Sequence, residues 1–130
     1  TGPARVGVID FQDALQGPLA YDLVSVTQDA RLDVSPALEA DLLEYYCGAV
    51  RRCEPSFDEA TFRFAYAALG AQRNTKILGI FARLAKRDGK PVYIQHMPRI
   101  WGYLARALAH PELARLRAVY DRHIMALATR

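Results

Sequence analysis

The sequence predicts a mainly α-helical domain that begins with one short strand and continues with about five helices. Apolar residues recur at intervals of three and four over most of the chain, which is the period of a helix buried on one side. Prolines and capping residues divide this periodic part into segments of helical length. One run, Arg5 to Phe11, is instead rich in β-branched residues and flanked by Gly-Pro pairs, as strands are.

A single strand is not stable without a partner. No second strand is predicted downstream, so we expect the partner strands to precede Thr1 in a longer protein. The 130 residues are therefore predicted to form one helical lobe, with another lobe of the same protein as its partner.

The first two helices are predicted from their start and stop signals. Pro18 suits the first turn of a helix that runs to about Ala30. Ser35-Pro36 starts the second helix, and Pro55 stops it. The predicted buried residues are Leu19, Leu23 and Val26 in the first helix and Leu38, Leu42, Leu43, Tyr46 and Val50 in the second.

Three further helices follow. The third runs from Asp58 to about Arg87, where Asp88-Gly89 ends it, because glycine adopts the left-handed conformation of a helix cap. The fourth is predicted over 97–109 and the fifth over 112–127.

Composition excludes several classes of protein. Hydrophobic residues make up 52% of the chain and charged residues 24%, as in globular proteins, and no apolar run approaches the roughly 20 residues of a membrane span. Cys47 and Cys53 lie on one helix, about 9 Å apart along its axis, which is too far for a disulfide. Reduced cysteines predict a cytoplasmic protein, and the lack of a long apolar run predicts that no membrane is a partner.

The charge is divided unevenly along the chain. Residues 1–60 carry a net charge of −7 and residues 61–130 a net charge of +10. The two halves are therefore expected to pack on each other or to share a charged ligand. The arginines are spread over several helices without interleaved aromatic residues, so we expect no nucleic-acid binding.

Asp10 is the first candidate for chemistry. It ends the apolar strand, where a rigid element can hold its carboxylate as a ligand for magnesium. An aspartate at this place also commonly caps the following turn, and the residues alone leave both interpretations open.

The region around Asp10 resembles a known family. Residues 9–14, Gly17-Pro18, 21–25 and Gln28-Asp29 are similar to the second conserved block of the aminoglycoside phosphotransferase and choline kinase family. Segments 72–76, 79–84 and 87–90 resemble the bacterial branch that phosphorylates N-acetylmuramate and N-acetylglucosamine at the anomeric hydroxyl.

The resemblance implies the C-terminal lobe of a protein-kinase-like, two-lobe fold. Asp10 is then the metal aspartate, although Gln12 stands where a protein kinase has glycine. Asp13 is a second candidate ligand, with a substrate contact and a solvated loop acid as alternatives. Asp22 is implied to brace the catalytic loop through backbone N–H groups.

The same resemblance implies that the catalytic base and the phosphate-binding lysine precede Thr1. No catalytic residue is therefore predicted within these 130 residues, and we expect the chain alone to be inactive.

Arg73 has an unusual position on the third helix. On a helical wheel it falls within the apolar stripe of Phe62, Tyr66, Leu69, Ile77, Ile80 and Leu84. It is expected either to pair with an acid from residues 1–60 or to reach a substrate cleft. Gln72, Asn74 and Lys76 flank it and are further candidates for substrate binding.

The predicted function is that of a small-molecule kinase. The intact enzyme would use magnesium and ATP or GTP to phosphorylate a sugar hydroxyl, and an amino sugar of the cell wall is the preferred acceptor. The alternatives are an aminoglycoside, choline or homoserine kinase of the same family, or a helical binding module without catalysis.

Overall fold

The computed structural model describes residues 16–125 of the chain. Within residues 16–125 the regular secondary structure is all helical, as predicted, and no strand is present in this range. The strand expected at Arg5 to Phe11 lies outside the described residues. The five α-helices are α1 (Ala20–Thr27), α2 (Pro36–Cys53), α3 (Glu59–Lys86), α4 (Met97–Leu108) and α5 (Ala114–Tyr120).

The helix starts at α2 and α3 follow the predicted signals. The Ser35 side chain accepts a hydrogen bond from the Leu38 N–H at 3.1 Å and so caps α2. Asp58 caps α3 in the same way, with the Thr61 N–H at 3.1 Å. Shortly after the end of α3, Gly89 has a φ of 64°, which confirms the prediction that this glycine adopts the left-handed conformation.

Two predicted helices are shorter or less regular than expected. Helix α1 ends at Thr27 rather than near Ala30, because the Asp29 carboxylate accepts the backbone N–H groups of the two residues after Ala30 and turns the chain. The fifth segment is a 3-10 turn (Pro111–Leu113), the short helix α5 and a π turn (Asp121–Met125). A further 3-10 segment, Pro91–His96, precedes α4 and was not predicted.

The predicted apolar side of α1 is wrong. Leu19 is 61% exposed and Val26 is 69% exposed, whereas Ala20, Val24 and Thr27 are buried. Thr27 can be buried because its hydroxyl proton has acceptors within reach, the Leu23 carbonyl at 2.8 Å and the Tyr66 hydroxyl at 2.6 Å. A polar residue with satisfied hydrogen bonds can be buried in place of an aliphatic one.

Helix α3 lies at the centre of the fold. Its first turns pack with α1 and α2 around Val24, Cys47 and Phe62. Its remaining length packs with α4 and α5, where Ile100 and Leu104 are fully buried. None of the helices within residues 16–125 combines the length and apolar character needed to cross a membrane.

Ion pairs connect the acidic and basic halves, as the charge division predicts. Arginines of α3 and α4 pair with acids from residues 33–44 in three cases, Arg63 with Glu44, Arg99 with Asp33 and Arg106 with Glu39. The expectation that the two halves pack on each other is confirmed.

Candidate functional site

A cleft of about 460 Å³ runs along one side of α3 and is here called the α1–α3 cleft. This volume is within the range of small-molecule sites, roughly 300–1,000 Å³. Its walls come from the start of α1, the loop after α1, the second half of α3 and the 3-10 segment before α4. The lining residues are Tyr21, Asp29, Ala30, Arg31, Gln72, Arg73, Lys76, Ile77, Ile80, Phe81, Leu84 and Tyr93.

The helical wheel explains why α3 contributes both polar and apolar groups to this cleft. Phe62 and Tyr66 are buried as predicted, but further along α3 the core face passes through Asn74, Leu78 and Phe81. The predicted stripe residues of the second half, Ile77, Ile80 and Leu84, are partly buried and line the cleft together with Arg73. The stripe therefore begins on the core face and continues on the cleft face.

Three of the four predicted substrate-binding residues meet here. Gln72, Arg73 and Lys76 all line the α1–α3 cleft. Arg73 forms no ion pair with a carboxylate of residues 16–125, and its buried Nε has no hydrogen-bond partner in that range. Among the described residues, this arrangement favours the cleft interpretation of Arg73 over the structural ion pair.

The charge of the cleft is positive. Its walls carry three cationic side chains, Arg31, Arg73 and Lys76, and one carboxylate, Asp29. Partial burial raises the pKa of Asp29, but the N–H groups of Arg31 and Leu32, at 2.7 and 3.0 Å, and the charges of Arg31 and Arg73 outweigh it. The pKa of Asp29 is therefore below its ordinary value, and the carboxylate is ionised at neutral pH.

The fourth predicted residue, Asn74, is not brought to the cleft. Its side chain is fully buried, and its Nδ2 donates to Gln28 Oε1 at 2.6 Å. Asn74 is thus part of a buried polar group, here called the Glu39 cluster, whose members are Thr27, Gln28, Glu39, Tyr66 and Asn74, with the exposed Arg106 at its edge.

Glu39 is the centre of this cluster. It is only 8% exposed, and its Oε1 accepts from Gln28 Nε2 at 2.7 Å and from the Tyr66 hydroxyl at 2.8 Å. Its Oε2 accepts from Arg106 Nη2 at 2.6 Å. Burial, together with the charge and hydrogen bond of Glu39, raises the pKa of Tyr66, so that the phenol remains a neutral donor.

The Glu39 cluster is not predictable from periodicity, because an acid near the start of a helix is ordinarily explained by the helix dipole alone. A signal was present in α3, where Ala67, Gly70 and Ala71 form a run of small residues one turn before Asn74. A Cβ added at Gly70 would lie 3.2 Å from Gln28 Oε1 and 3.6 Å from the Ala107 Cβ. Glycine there permits the close approach that buries the cluster.

Asp22 lies in the first turn of α1 and is exposed. It lines a small pocket of about 290 Å³ with Gly17, Pro18, Leu19 and Tyr46. Its carboxylate forms no hydrogen bond or ion pair with the described residues. Asp22 is therefore accessible to a partner outside this range.

The predicted metal ligands cannot be placed in this geometry, because Asp10 and Asp13 lie outside the described residues. Within residues 16–125, no group of three histidine, cysteine, aspartate or glutamate residues is arranged to hold a metal ion. Cys47 is buried and Cys53 exposed, and both are free thiols, as predicted.

Comparisons with known proteins show which protein family this chain resembles. Residues 1–64 match the model of a phosphotransferase enzyme family. The predicted resemblance to the aminoglycoside phosphotransferase family is thereby confirmed. The match covers the segment with Asp10, Asp13 and Asp22.

Three curated relatives make the similarity more specific, and each is named N-acetylmuramate/N-acetylglucosamine kinase. The protein of Caulobacter vibrioides is 48% identical over 95% of this chain, and that of Pseudomonas aeruginosa 44% over 85%. The protein of Neisseria meningitidis serogroup B is 42% identical over 88% of the chain. The chain spans about a third of the length of these relatives, from 33% to 35%.

Proposed function

We propose that the full-length protein containing this chain is a small-molecule kinase that transfers the γ-phosphoryl group of ATP to the anomeric hydroxyl of N-acetylmuramate or N-acetylglucosamine. The observation that carries this proposal is the 48% identity with the Caulobacter vibrioides kinase, which extends over 95% of the chain. That extent includes far more than the 64 residues that match the family model. A fold likeness alone would not support the choice of acceptor.

The charge of the α1–α3 cleft supports N-acetylmuramate or N-acetylglucosamine over an aminoglycoside or choline. Aminoglycosides and choline are cations, and a cleft with three cationic side chains and one carboxylate repels them. The cleft is proposed as the acceptor site. Gln72 would donate hydrogen bonds to sugar hydroxyl and carbonyl oxygens, Lys76 would add positive charge toward an anionic part of the acceptor, and Ile77 and Ile80 would contact its apolar parts.

Asp10 is proposed as a magnesium ligand, and Asp13 as a second one. Support comes from the family match over residues 1–64 and from the position of Asp10 at the end of an apolar run. Magnesium, when bound, would neutralise the phosphate charge of ATP or GTP. These carboxylates would bind the ion, while the remaining residues of the lobe hold the acceptor.

Asp22 is proposed to brace the catalytic loop. Its exposed carboxylate, which has no partner among the described residues, is available to accept backbone N–H groups from another part of the protein. The reduced cysteines, Cys47 and Cys53, fit a cytoplasmic enzyme.

The test is a phosphate-transfer assay on the purified full-length protein with magnesium and ATP, and with GTP in parallel. N-acetylmuramate and N-acetylglucosamine are offered as acceptors beside an aminoglycoside, choline and homoserine. We expect transfer to the two sugars, together with loss of their reducing-end reactivity, because the anomeric hydroxyl becomes esterified. Transfer to none of the acceptors would favour the binding module, and the 130 residues alone are expected to be inactive.

A further inference from the structure

Arg73 contributes a buried polar atom to the α1–α3 cleft, its Nε, which has no hydrogen-bond partner among residues 16–125. A buried N–H without an acceptor destabilises the free protein, and a ligand that supplies the acceptor recovers this free energy. The guanidinium carries five N–H groups in a planar fork.

A carboxylate fits this fork, because its two oxygens accept two parallel N–H bonds, as a phosphate's oxygens also do. Asp29, the carboxylate of the cleft itself, does not occupy the position. Its Oδ1 is engaged by the N–H groups of Arg31 and Leu32, and it forms no ion pair with Arg73. The cleft therefore retains positive charge toward an incoming anion.

Lys76 lies three residues after Arg73, on the same side of α3, and lines the same cleft. Its exposed ammonium can approach a carboxylate held by Arg73. Ile77 and Ile80, beside them, offer apolar contact for a methyl group. Together these residues form a site for a short carboxylate side chain that carries a methyl group.

N-acetylmuramate and N-acetylglucosamine differ by such a group, because the former carries a lactyl ether with a carboxylate. We propose that Arg73, assisted by Lys76, binds this carboxylate and makes the enzyme discriminate in favour of the acidic amino sugar. The inference rests on the proposed function, since it assigns the α1–α3 cleft to the acceptor.

The experiment compares kcat/KM for the two sugars in the full-length enzyme and in its Arg73→Gln variant. We expect the ratio of kcat/KM for N-acetylmuramate to that for N-acetylglucosamine to fall about 10- to 100-fold, as the loss of a charge-assisted hydrogen bond predicts. Arg83→Gln is the matched control, because Arg83 is an exposed arginine of the same helix outside the cleft. Its ratio should remain within twofold of the wild type.

The KM for ATP distinguishes a bound carboxylate from a bound nucleotide phosphate. If Arg73→Gln raises the KM for ATP and lowers kcat/KM equally for both sugars, Arg73 binds phosphate and the inference is wrong. An unchanged ratio in an active, folded variant would also overturn it, while leaving the kinase proposal intact. If the wild-type enzyme phosphorylates neither sugar, the proposed function fails first.

Two further variants keep the test decisive if Arg73→Gln does not fold. Arg73→Lys retains the charge but loses the planar fork, and Lys76→Gln alters an exposed side chain. Each is expected to lower the ratio at least threefold. A ratio equal to that of the wild type in both variants contradicts the proposal.

Discussion

Glu39 connects four parts of the fold through a single carboxylate. It lies on α2, and its partners are Gln28 at the end of α1, Tyr66 on α3 and Arg106 on α4. The Arg106 guanidinium also lies over the Tyr103 ring, 4.9 Å from its centroid. A buried carboxylate of this kind is stable only while its partners remain in place.

Replacing Glu39 by alanine should therefore destabilise the protein strongly. Glu39→Ala removes the acceptor of the buried Gln28 and Tyr66 donors and the ion-pair partner of Arg106, and we expect the free energy of unfolding to fall by about 1–3 kcal/mol for each buried donor left unsatisfied. The control is Asp33→Ala, because the Asp33 side chain is 82% exposed in its pair with Arg99, so its loss should change the free energy of unfolding little. Urea denaturation of both variants measures the difference, and equal losses would contradict a central role of Glu39.

At Asp10 the prediction concerns activity rather than stability. Asp10→Asn in the full-length protein keeps the shape of the side chain but removes the charge proposed to bind magnesium, so turnover should fall at least 100-fold. Thermal melting is measured alongside and should not change. A variant that retains more than a tenth of the wild-type activity would refute the assignment.

Among the elements, α3 shows how one helix serves two purposes. Its core face carries small residues where α1 and α4 approach closely, and its cleft face carries Gln72, Arg73 and Lys76.

The two glycines inside α3, Gly70 and Gly79, have different surroundings. Gly70 lies against Gln28, whereas a Cβ at Gly79 would meet no other atom of the described residues within 4 Å. Close helix approach, the ordinary reason for a glycine inside a helix, therefore applies to Gly70 but not to Gly79 among the described residues.

Alanine at these two positions should have opposite effects. Gly79→Ala should stabilise the protein by about 0.5–1 kcal/mol, because alanine has a higher helix propensity and enters open space. Gly70→Ala should destabilise it, since overpacking against Gln28, whose side chain is fixed by two hydrogen bonds, costs about 1–3 kcal/mol. Paired urea denaturation curves test this, and stabilisation by both substitutions would show that Gln28 moves aside.

On the scale of the whole molecule, Asp22 is proposed to accept backbone N–H groups of the catalytic loop, which belongs to another part of the protein. Asp22→Ala should lower the melting temperature of the full-length enzyme together with its activity, because unpaired backbone donors cost roughly 1–3 kcal/mol. Asp41→Ala, an exposed acid of α2, serves as the control and should melt normally. An Asp22 variant with normal melting and no activity would indicate a direct role in chemistry instead.

Features that depend on interactions between residues close in the sequence could be predicted from it. Ser35-Pro36, Asp58 and Gly89 act on backbone groups a few residues away, so the ends of α2 and α3 were predictable. The wheel also assigned Arg73 and Ile77 to one stripe, which indicated the polar side of the cleft.

Long-range hydrogen bonds account for what the sequence did not reveal. Thr27 is buried because it bonds to Tyr66, 39 positions away, and Asn74 because it bonds to Gln28, 46 positions away. Periodicity contains no information about such partners, so the buried side of α1 was predicted wrongly and Asn74 was assigned to the substrate.

The shortness of α1 has a consequence for local opening of the fold. An isolated helix of eight residues does not form in water, since about 12–15 are needed even in favourable sequences. Helix α1 is held instead by Val24 in the core and by the bonds of Thr27 and Gln28 to α3. Its amide protons should therefore exchange with deuterated solvent at the rate at which α1 detaches from α3, all at once rather than fraying one by one from an end.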